Sequence, residues 1–575
     1  MTEIRVWAPK ASCVELQSQG RLLEMTSGDC GWWAVEDPDL VHGIDYAFCL
    51  DGRGPFPDPR SPWQPNGVHG PSRWVDHDRF AWTDAGWRQP PQGSAVIYEL
   101  HVGTFTPEGT FEAAITRLDH LLELGITHVE LMPVAEFPGI RGWGYDGVDL
   151  WAPHHGYGGP EGLKRLVDAC HRRGLAVLLD VVYNHLGPSG NYLGQFGPYF
   201  TDRYATPWGQ AVNFDGPDSD EVRRFFIDNA LMWLRDYHLD GLRIDAVHAI
   251  LDTSATHVLE QLAGEVRQLE SSAGRSFLII AESDLNDPRI VRSQEAGGHG
   301  LDAQWNEDFH HSLHAALTGE RHGYYADFGP LSHLARVLTR GFAYDGRYSV
   351  FRRRRHGRPA LGLPGRSFVA CLQNHDQVGN RARGDRTSRL LTPGQLKIGA
   401  ALVLLSPFIP MLFQGEEWGA ATPFLYFTDH QEPELGEAVR RGRQEEFAAF
   451  DWDPEAIPDP QAKGTFARSR LDWDECLDHE PRELLRWHKT LIELRRSFPE
   501  LTDDRLAQVE LEVDDQRGRL IMRRGRITVA SNWSEAEQAF SAPGLTHILA
   551  ASEAGVSARG DRVVLPGHGV AIFKD

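Results

Sequence analysis

The segment Asp240-Gly-Leu-Arg-Ile-Asp-Ala-Val-His248 combines the period of a strand with charges that a strand interior rarely holds. Apolar residues at positions 242, 244 and 246 alternate with Arg243, Asp245 and Val247, which is the two-residue period of a β-strand. A buried charge without a partner is too costly to persist, so we expect Arg243 to pair with Asp245 and hold it ionised. An ionised aspartate at a strand end fits covalent attack on a sugar carbon. A buried salt bridge that only stabilises the fold is the alternative.

This strand is one of eight that alternate with helical segments along the middle of the chain. The predicted helices cover 111–124, 161–173, 220–237, 256–269, a segment starting at 307, 394–405 and 481–497, and the predicted strands cover 95–101, 127–132, 175–180, 240–246, 277–282, 301–305, 367–372 and 409–413. An eightfold alternation of this kind is typical of the α/β class and of a (β/α)₈ TIM barrel in particular. A doubly wound sheet is the alternative, but the count and the length favour the barrel.

The two ends of the chain are predicted to be strand-rich, unlike the strand–helix alternation of the middle. Residues 1–90 alternate short strand-like segments with turns, and the chain becomes strand-like again after residue 501. We therefore predict an N-terminal β-sandwich over 1–90 and a catalytic barrel with short insertions over 91–500. A C-terminal β-sandwich is predicted over 501–575.

Composition excludes several classes of partner. The chain has 575 residues, is 41% hydrophobic and 24% charged, and carries a net charge of −23, which argues against nucleic acid and anionic membranes as partners.

Its six cysteines form no C-x-x-C pair, and most lie in apolar contexts, which suggests buried free thiols in a reducing cytosol. The N-terminus shows no signal peptide. The longest apolar stretch is interrupted by Pro407 and Pro410, so we do not expect it to span a membrane. We expect a cytoplasmic monomer or homodimer.

Polar residues end several of the predicted strands. Asp180, Asp245 and Glu282 each close one, and His375 and Asp376 follow another. In a TIM barrel, chemistry takes place where strands end and loops begin, so these side chains should converge. Carboxylates brought together raise at least one pKa, which keeps a neutral acid available near pH 7.

The roles of the carboxylates divide on physical grounds. Asp245, held ionised by Arg243, is the predicted nucleophile. Glu282 ends a long apolar strand, so burial should raise its pKa and make it the general acid/base. Asp376 is predicted to stabilise charge on the sugar, and His185 and His375 to donate hydrogen bonds to its hydroxyls.

Four segments resemble the signature regions of the α-amylase superfamily of glycoside hydrolases. They are Asp180-Val-Val-Tyr-Asn-His185, Gly241-Leu-Arg-Ile-Asp245, Ala281-Glu282 and Asn374-His-Asp376, in the family's order. The resemblance implies a retaining mechanism through a covalent glycosyl–aspartate, and implies that Tyr145 stacks on the sugar at the cleavage site. The full set of predicted substrate-binding residues is Tyr145, Asp180, His185, Arg243, His248 and His375.

Further segments narrow the resemblance. Val6-Trp-Ala-Pro9 is similar to the N-terminal accessory domains of branching enzymes, debranching enzymes and maltooligosyltrehalose trehalohydrolases. The passages 245–250, 373–380, 413–418 and 427–430 look most like the trehalohydrolases. This implies hydrolysis of the α-1,4 bond next to the terminal trehalose of maltooligosyl trehalose, an α-glucan substrate. The alternatives are a branching or debranching enzyme acting on α-1,6 linkages, and a non-catalytic glucan-binding protein that would be expected to lack one carboxylate.

We predict no metal and no cofactor. The loop over 186–211, where many amylases carry a calcium-binding domain, is short and holds few carboxylates, whereas calcium needs six to eight oxygen ligands. Asn184 is the residue that could contradict this prediction. His310, His311 and His314 lack an H-E-x-x-H pattern, so we interpret them as surface or loop histidines, of which one could approach the substrate.

Overall fold

The N-terminal part of the chain consists of eight short strands in two sheets. The computed structural model describes residues 2–448, 457–542, 544–545, 547–559 and 562–575. The first strands are β1 (Thr2–Trp7), β2 (Val14–Ser18), β3 (Arg21–Glu24), β4 (Thr26–Ser27), β5 (Trp32–Asp37), β6 (Asp45–Leu50), β7 (Arg53–Phe56) and β8 (Ser72–Arg73). One sheet has the order β1-β5-β4, and the other has the order β3-β2-β6-β7 with β8 paired to β6.

A closed eight-stranded barrel forms the centre of the molecule. Its order is β10-β13-β16-β17-β18-β21-β22-β9, and the neighbouring strands run parallel. The strands of this region are β9 (Ile97–Leu100), β10 (His128–Leu131), β11 (Ala135–Glu136), β12 (Asp149–Pro153), β13 (Ala176–Val181), β14 (Phe200–Thr206), β15 (Gly209–Val212), β16 (Gly241–Ile244), β17 (Leu278–Ala281), β18 (Ala303–Trp305), β19 (Arg347–Ser349), β20 (Arg354–His356), β21 (Phe368–Ala370) and β22 (Ile409–Phe413).

Helices surround the barrel and connect its strands. They are α1 (Val102–Phe105), α2 (Phe111–Ile115), α3 (Leu118–Leu124), α4 (Gly159–Arg172), α5 (Leu193–Phe196), α6 (Ser219–Asp236), α7 (Val258–Ala273), α8 (Glu307–Thr318), α9 (Leu331–Arg340), α10 (His375–Gly379), α11 (Thr387–Leu390), α12 (Pro393–Leu404), α13 (Pro433–Ala448), α14 (Lys463–Ser469) and α15 (His479–Ser497).

Alternation along the barrel strands separates two apolar layers. Ile97, Leu178 and Ile280 belong to a core inside the barrel, whereas Leu242 and Ile244 belong to the core between strands and helices. Because successive side chains of a strand point to opposite faces, Glu99, Asp180 and Arg243 point into the barrel. The interior of the barrel therefore holds charged groups in addition to its apolar layer.

The described residues of the C-terminal part form eight further strands. They are β23 (Val509–Asp514), β24 (Arg519–Arg524), β25 (Ile527–Asn532), β26 (Gln538–Ser541), β27 (His547–Ala551), β28 (Ser557–Arg559), β29 (Arg562–Leu565) and β30 (Val570–Lys574). Five of them form a sheet in the order β23-β24-β25-β30-β27, and the others form the sheet β26-β29-β28. Arg524 at the end of β24 is buried and donates to the carbonyls of Leu405 and Ser406, at 2.9 and 2.8 Å, which joins this part to the barrel.

These observations confirm the predicted fold class, a TIM barrel flanked on both sides by sheets. The domain boundaries at residues 90 and 500 stay predictions. The predicted helix over 111–124 is wrong, because α2 ends at Ile115, where Thr116 Oγ1 donates to the Ala113 carbonyl at 2.7 Å and competes with the helix backbone. A new helix, α3, then turns Leu122 to solvent.

The strand of the opening segment is shorter than predicted. Strand β16 ends at Ile244, and Ala246 adopts a left-handed conformation with φ of 38°. This sharp turn brings the chain out of the barrel directly after Asp245.

The structure tests two predictions, that the cysteines are buried and that no segment spans a membrane. All six cysteines are free, but only Cys170 and Cys371 are buried and Cys30 is exposed, so the expectation of buried thiols is wrong for the others. None of the helices in the described ranges combines the length and the apolar character needed to cross a membrane.

Asp240, the first residue of the opening segment, ties the linker before the barrel to the amino ends of its strands. Its carboxylate accepts hydrogen bonds from Trp87 Nε1 at 2.7 Å, His171 Nε2 at 2.9 Å, Arg275 Nη2 at 3.0 Å and the Val177 amide at 2.8 Å. Burial raises the pKa of Asp240, but His171, Arg275 and Trp87 together lower it by more, so the net pKa lies below its ordinary value.

We predict that Asp240→Ala lowers the free energy of unfolding by about 3–5 kcal/mol, because it removes the buried carboxylate that accepts hydrogen bonds from Trp87, His171, Arg275 and the Val177 amide. Because the pKa of Asp240 is lowered on folding, its contribution is present at neutral pH and is lost as the pH falls through its folded-state pKa. Urea denaturation monitored at pH 7 and at a series of pH values below 4 measures both effects. The exposed Glu108→Ala is the control, and equal stability of the two variants at pH 7 would contradict the prediction.

Candidate active site

The polar residues predicted from the strand ends lie together at the carboxyl edge of the barrel. Asp180 belongs to β13, and Asp245 and Glu282 directly follow β16 and β17. His375 and Asp376 are the first residues of α10, which follows β21. The carboxyl ends of parallel barrel strands meet at one face, and this is where TIM-barrel enzymes place their catalytic groups.

The Arg243 guanidinium contacts three of these side chains. Its Nη1 donates to Asp180 Oδ2 at 2.7 Å and to Asp245 Oδ1 at 2.8 Å, and its Nη2 lies 2.9 Å from Glu282 Oε2. The Trp305 ring covers one face, with its centroid 4.1 Å from the guanidinium carbon. Burial lowers the pKa of Arg243, but the carboxylates raise it by more, so its pKa stands well above the ordinary value and the group stays charged.

Asp245 is held ionised by its neighbours. Burial raises its pKa, but Arg243, His185 and the Asn184 amide lower it by more, and the net pKa lies below the ordinary value. Asn184 Nδ2 donates to Asp245 Oδ2 at 2.7 Å and to the Asp245 carbonyl at 3.0 Å. Asn184, the residue that left a calcium site open, thus donates both hydrogen bonds to Asp245 through its amide nitrogen, and the absence of calcium stays a prediction.

Glu282 has the opposite electrostatic setting. Burial raises its pKa well above the ordinary value, Arg243 offsets only part of this, and Asp245 and Asp376 raise it further. The backbone N–H of Ala246 donates to Glu282 Oε2 at 2.7 Å, which holds the carboxyl beside Asp245. The surroundings of Glu282 thus favour its protonated form, whereas those of Asp245 favour the carboxylate.

Tyr145 forms one wall of the site. Its hydroxyl donates to Asp180 Oδ2 at 2.7 Å and lies 2.7 Å from His375 Nε2. The two rings stack with centroids 5.2 Å apart and an angle of 22° between their planes. Tyr145 is half-buried, so one side of the ring is supported and its rim stays accessible.

His185 lies on another side of Asp245. Its Nε2 donates to the Tyr145 carbonyl at 3.0 Å, and its ring stacks on Trp208 with centroids 4.7 Å apart. Trp208 lies in the turn between β14 and β15 and is 48% exposed, so this short hairpin reaches the edge of the site. The prediction did not include Trp208, because nothing in its local sequence connects it to His185.

Asp376 and His248 are less tightly held than the other predicted residues. The Asp376 side chain is 36% exposed, and its Oδ1 accepts a hydrogen bond from Asn380 Nδ2 at 3.1 Å. His248 lies on the 3₁₀ turn Val247–Ala249 beyond Asp245, half-buried, and its Nδ1 is buried without a hydrogen-bond partner. The role of His248 in substrate binding stays a prediction.

The interpretation of His310, His311 and His314 as surface or loop histidines is wrong. All three lie on α8 and are buried, with burial lowering the pKa of each. The ring of His311 stacks on Tyr324 and that of His314 on Tyr325, with centroids 4.6 and 4.5 Å apart. An uncharged imidazole is apolar enough to pack against aromatic rings, which the bare count of histidines did not reveal.

Two groups among the described residues have ligand atoms close enough for a metal ion. Glu307 lies near His310 and His311, and Glu136 lies near His154 and His155. Both oxygens of Glu136 already accept hydrogen bonds from His155, at 2.7 and 2.8 Å. Neither group contains Asp245, Glu282 or Asp376, and the expectation of no metal stays a prediction.

Comparison with known proteins establishes the family. A family model described as the alpha amylase catalytic domain matches residues 71–198. A malto-oligosyltrehalose trehalohydrolase from Arthrobacter ramosus is 56% identical over 536 residues, which cover 91% of this chain and 92% of the relative. The chain belongs to the malto-oligosyltrehalose trehalohydrolase family.

Other members and structures agree with this assignment over the whole chain. A malto-oligosyltrehalose trehalohydrolase from Rhizobium sp. (strain M-11) is 48% identical, with 99% of this chain and 97% of the relative covered. A crystal structure from Salmonella typhimurium, of a protein described as an alpha amylase, has a TM-score of 0.91 and 40% identity and covers 99% and 97% of the two chains. The chain is thus a glycoside hydrolase of the alpha-amylase family, as the four sequence segments indicated.

We predict that Arg243→Met lowers kcat/KM by about 10²–10³-fold and moves the whole pH–activity profile to higher pH. Arg243 lowers the pKa of both Asp245 and Glu282, so its loss raises both. The acidic limb, where Asp245 gains a proton, and the alkaline limb, where Glu282 loses one, both move upward. Initial rates of oligosaccharide hydrolysis between pH 4 and 10 measure the profile.

The control for this experiment is Arg165→Met, which removes a half-exposed ion pair on α4. Such pairs contribute little, so its profile should match that of the parent. An unshifted profile for Arg243→Met would contradict the assigned electrostatic role.

Proposed function

We propose that this chain hydrolyses the α-1,4-glucosidic bond next to the terminal trehalose of maltooligosyl trehalose, releasing trehalose and a maltooligosaccharide. Relatives that bear the name of this activity align over nearly its whole length. The observation that carries the chemistry is the contact of one guanidinium with both Asp245 and Glu282, of which the first has a lowered pKa and the second a raised one. Two carboxyl groups that differ in this way suit a nucleophile and a general acid.

The first step forms a covalent intermediate. An oxygen of the Asp245 carboxylate attacks the anomeric carbon of the glucose on the non-trehalose side of the bond. Glu282 donates its proton to the glycosidic oxygen as the bond breaks, and trehalose leaves with that proton. The glucan then remains as an ester on Asp245.

The second step releases the glucan. Glu282, now a carboxylate, accepts a proton from water, and the water oxygen attacks the anomeric carbon and displaces Asp245. Arg243 supports both steps, because its charge lowers the pKa of Glu282 and thereby offsets part of the effect of burial. Two displacements at one carbon restore its configuration, so the maltooligosaccharide leaves as the α-anomer.

The remaining residues act on the sugar at the cleavage site. Asp376 is the most exposed of the three carboxyl groups, and in this proposal it faces the ring and stabilises the positive charge of the transition state. Tyr145 stacks on the ring, and His185 and His375 line the site and hold Tyr145 through its carbonyl and its hydroxyl. Asp180 and Arg243 hold these groups in place.

The first test identifies the products. We expect incubation with maltopentaosyl trehalose to release free trehalose, with little change in amylose or in a branched glucan, when products are resolved by chromatography. The three carboxyl groups would equally serve α-1,6 chemistry, because the outer subsites choose the linkage. Debranched or rebranched chains without trehalose would therefore favour the branching or debranching alternative.

The second test assigns the carboxyl groups. We predict that Glu282→Gln lowers kcat by about 10²–10⁴-fold, because glutamine cannot protonate the leaving oxygen. Asp245→Ala should lack measurable turnover, since no ester can form. Exposed Glu108→Gln is the control and should match the parent. Proton NMR of the early product should show the α-anomer, and release of the β-anomer would exclude the covalent route.

A further inference from the structure

Glu99, which the sequence interpretation did not single out, lies in the middle of β9 with only 1% of its surface exposed. Both of its carboxylate oxygens accept hydrogen bonds from His375. The His375 backbone N–H donates to Oε2 at 2.9 Å, and the ring Nδ1 donates to Oε1 at 2.6 Å. A carboxylate inside the barrel thus binds both the backbone and the ring of one histidine at the edge of the active site.

A continuous chain of hydrogen bonds connects Glu99 to the nucleophile. It runs from His375 Nε2 to the Tyr145 hydroxyl at 2.7 Å, and from that hydroxyl to Asp180 Oδ2 at 2.7 Å. Arg243 Nη1 donates to the same Asp180 oxygen at 2.7 Å and to Asp245 Oδ1 at 2.8 Å. Every group in this chain is held by its neighbours on both sides.

The charge of His375 decides the direction of these hydrogen bonds. A tyrosine hydroxyl has one proton to donate. If both ring nitrogens of His375 are protonated, Nε2 donates to the Tyr145 oxygen, and the hydroxyl proton goes to Asp180. If His375 is neutral with Nδ1–H on Glu99, Nε2 becomes an acceptor and competes for the hydroxyl proton, so Asp180 loses its donor.

We propose that Glu99 is a positioning residue that keeps His375 as an imidazolium, which directs the Tyr145 hydroxyl to Asp180 and fixes the Tyr145 ring as the platform for the sugar. This inference rests on the function proposed above. Glu99 touches no substrate in this account, and it acts through the charge and orientation of His375.

The electrostatic surroundings of His375 agree with this role. Burial lowers its pKa, but Glu99 and Asp376 raise it by more, and the result is a pKa of about 9. The titratable or charged groups that face the ring are Glu99 on β9, Glu130 on β10, Asp180 on β13, Arg243 on β16, Tyr145 and His101 from the loops, and Asp376 on its own helix.

The barrel also offers a matched control. Glu130 pairs in register with Glu99 on the neighbouring strand and is equally buried. Burial and the charge of Glu99 raise the pKa of Glu130 well above its ordinary value, and both of its oxygens lack a hydrogen-bond partner. These surroundings favour the uncharged carboxylic acid form of Glu130, for which glutamine is a close replacement in shape and charge.

The test compares pH profiles of E99Q, E99D and E130Q. We expect E99Q to lower kcat/KM by about 10- to 100-fold at pH 8, because His375 is then neutral, and to recover most of the loss near pH 5.5, where His375 regains its proton. E99D keeps the charge and should keep the position of the alkaline limb, whereas E130Q should match the parent within about twofold. Because the platform orders the bound sugar, kcat should fall together with a rise in KM.

Two results of this comparison would overturn the proposal. If kcat/KM of E99Q fell by the same factor at every pH, the role of Glu99 would be purely structural. If the pH profile of E130Q shifted as much as that of E99Q, the effect would not be specific to Glu99.

A second measurement does not depend on the Glu99 and Glu130 variants or on the identity of the product. In ¹⁵N-histidine-labelled parent protein, with His375 assigned by its absence in H375Q, both ring nitrogens should carry protons at pH 8. A neutral His375 at pH 8 would overturn the inference. Absence of trehalose among the products would instead overturn only the proposed function, because the NMR signal reports on His375 alone.

Discussion

The site depends on the ion pairs that the buried guanidinium of Arg243 forms with three carboxyl groups. A cation inside the barrel must be compensated by anions, because transfer of a charge from water is costly. One cation, however, cannot hold three buried carboxyl groups equally ionised. Burial raises the pKa of all three. Arg243 together with His185 and Asn184 outweighs burial at Asp245, whereas the pKa of Asp180 is left at about 6 and that of Glu282 well above its ordinary value. The opposite pKa shifts of Asp245 and Glu282 thus follow from burial, from the shared Arg243 charge and from the different neighbours of each carboxyl group.

The segment around Arg243 also connects stability with catalysis. Asp240 lies at the amino end of β16 and binds the linker, His171 and Arg275, whereas Asp245 follows the carboxyl end and faces the site. A barrel strand has its two ends on opposite faces of the molecule, and TIM barrels use the first face for stability and the second for chemistry. Nine consecutive residues, 240–248, contribute to both faces here.

Local sequence patterns were sufficient to predict the barrel strands, but not where one helix ends or which histidines are buried. All eight barrel strands were predictable, because buried parallel strands form short apolar runs between helical periods. The break between α2 and α3 was not, because the apolar spacing of 111–124 continues across it while a threonine side chain ends the first helix. The burial of the α8 histidines was also missed, because their partners Tyr324 and Tyr325 come from a separate turn of the chain.

By itself, the sequence determined the barrel and the identity of the polar residues at its carboxyl edge, because strand period and strand order place those residues with no further information. Only the tertiary structure decided which carboxyl groups are ionised and what orients them. Asp180 and Arg243 are 63 positions apart, and Glu99 and His375 are 276 positions apart. The pKa of each group depends on burial and on charges a few ångströms away, and these distances exist only once the barrel has closed.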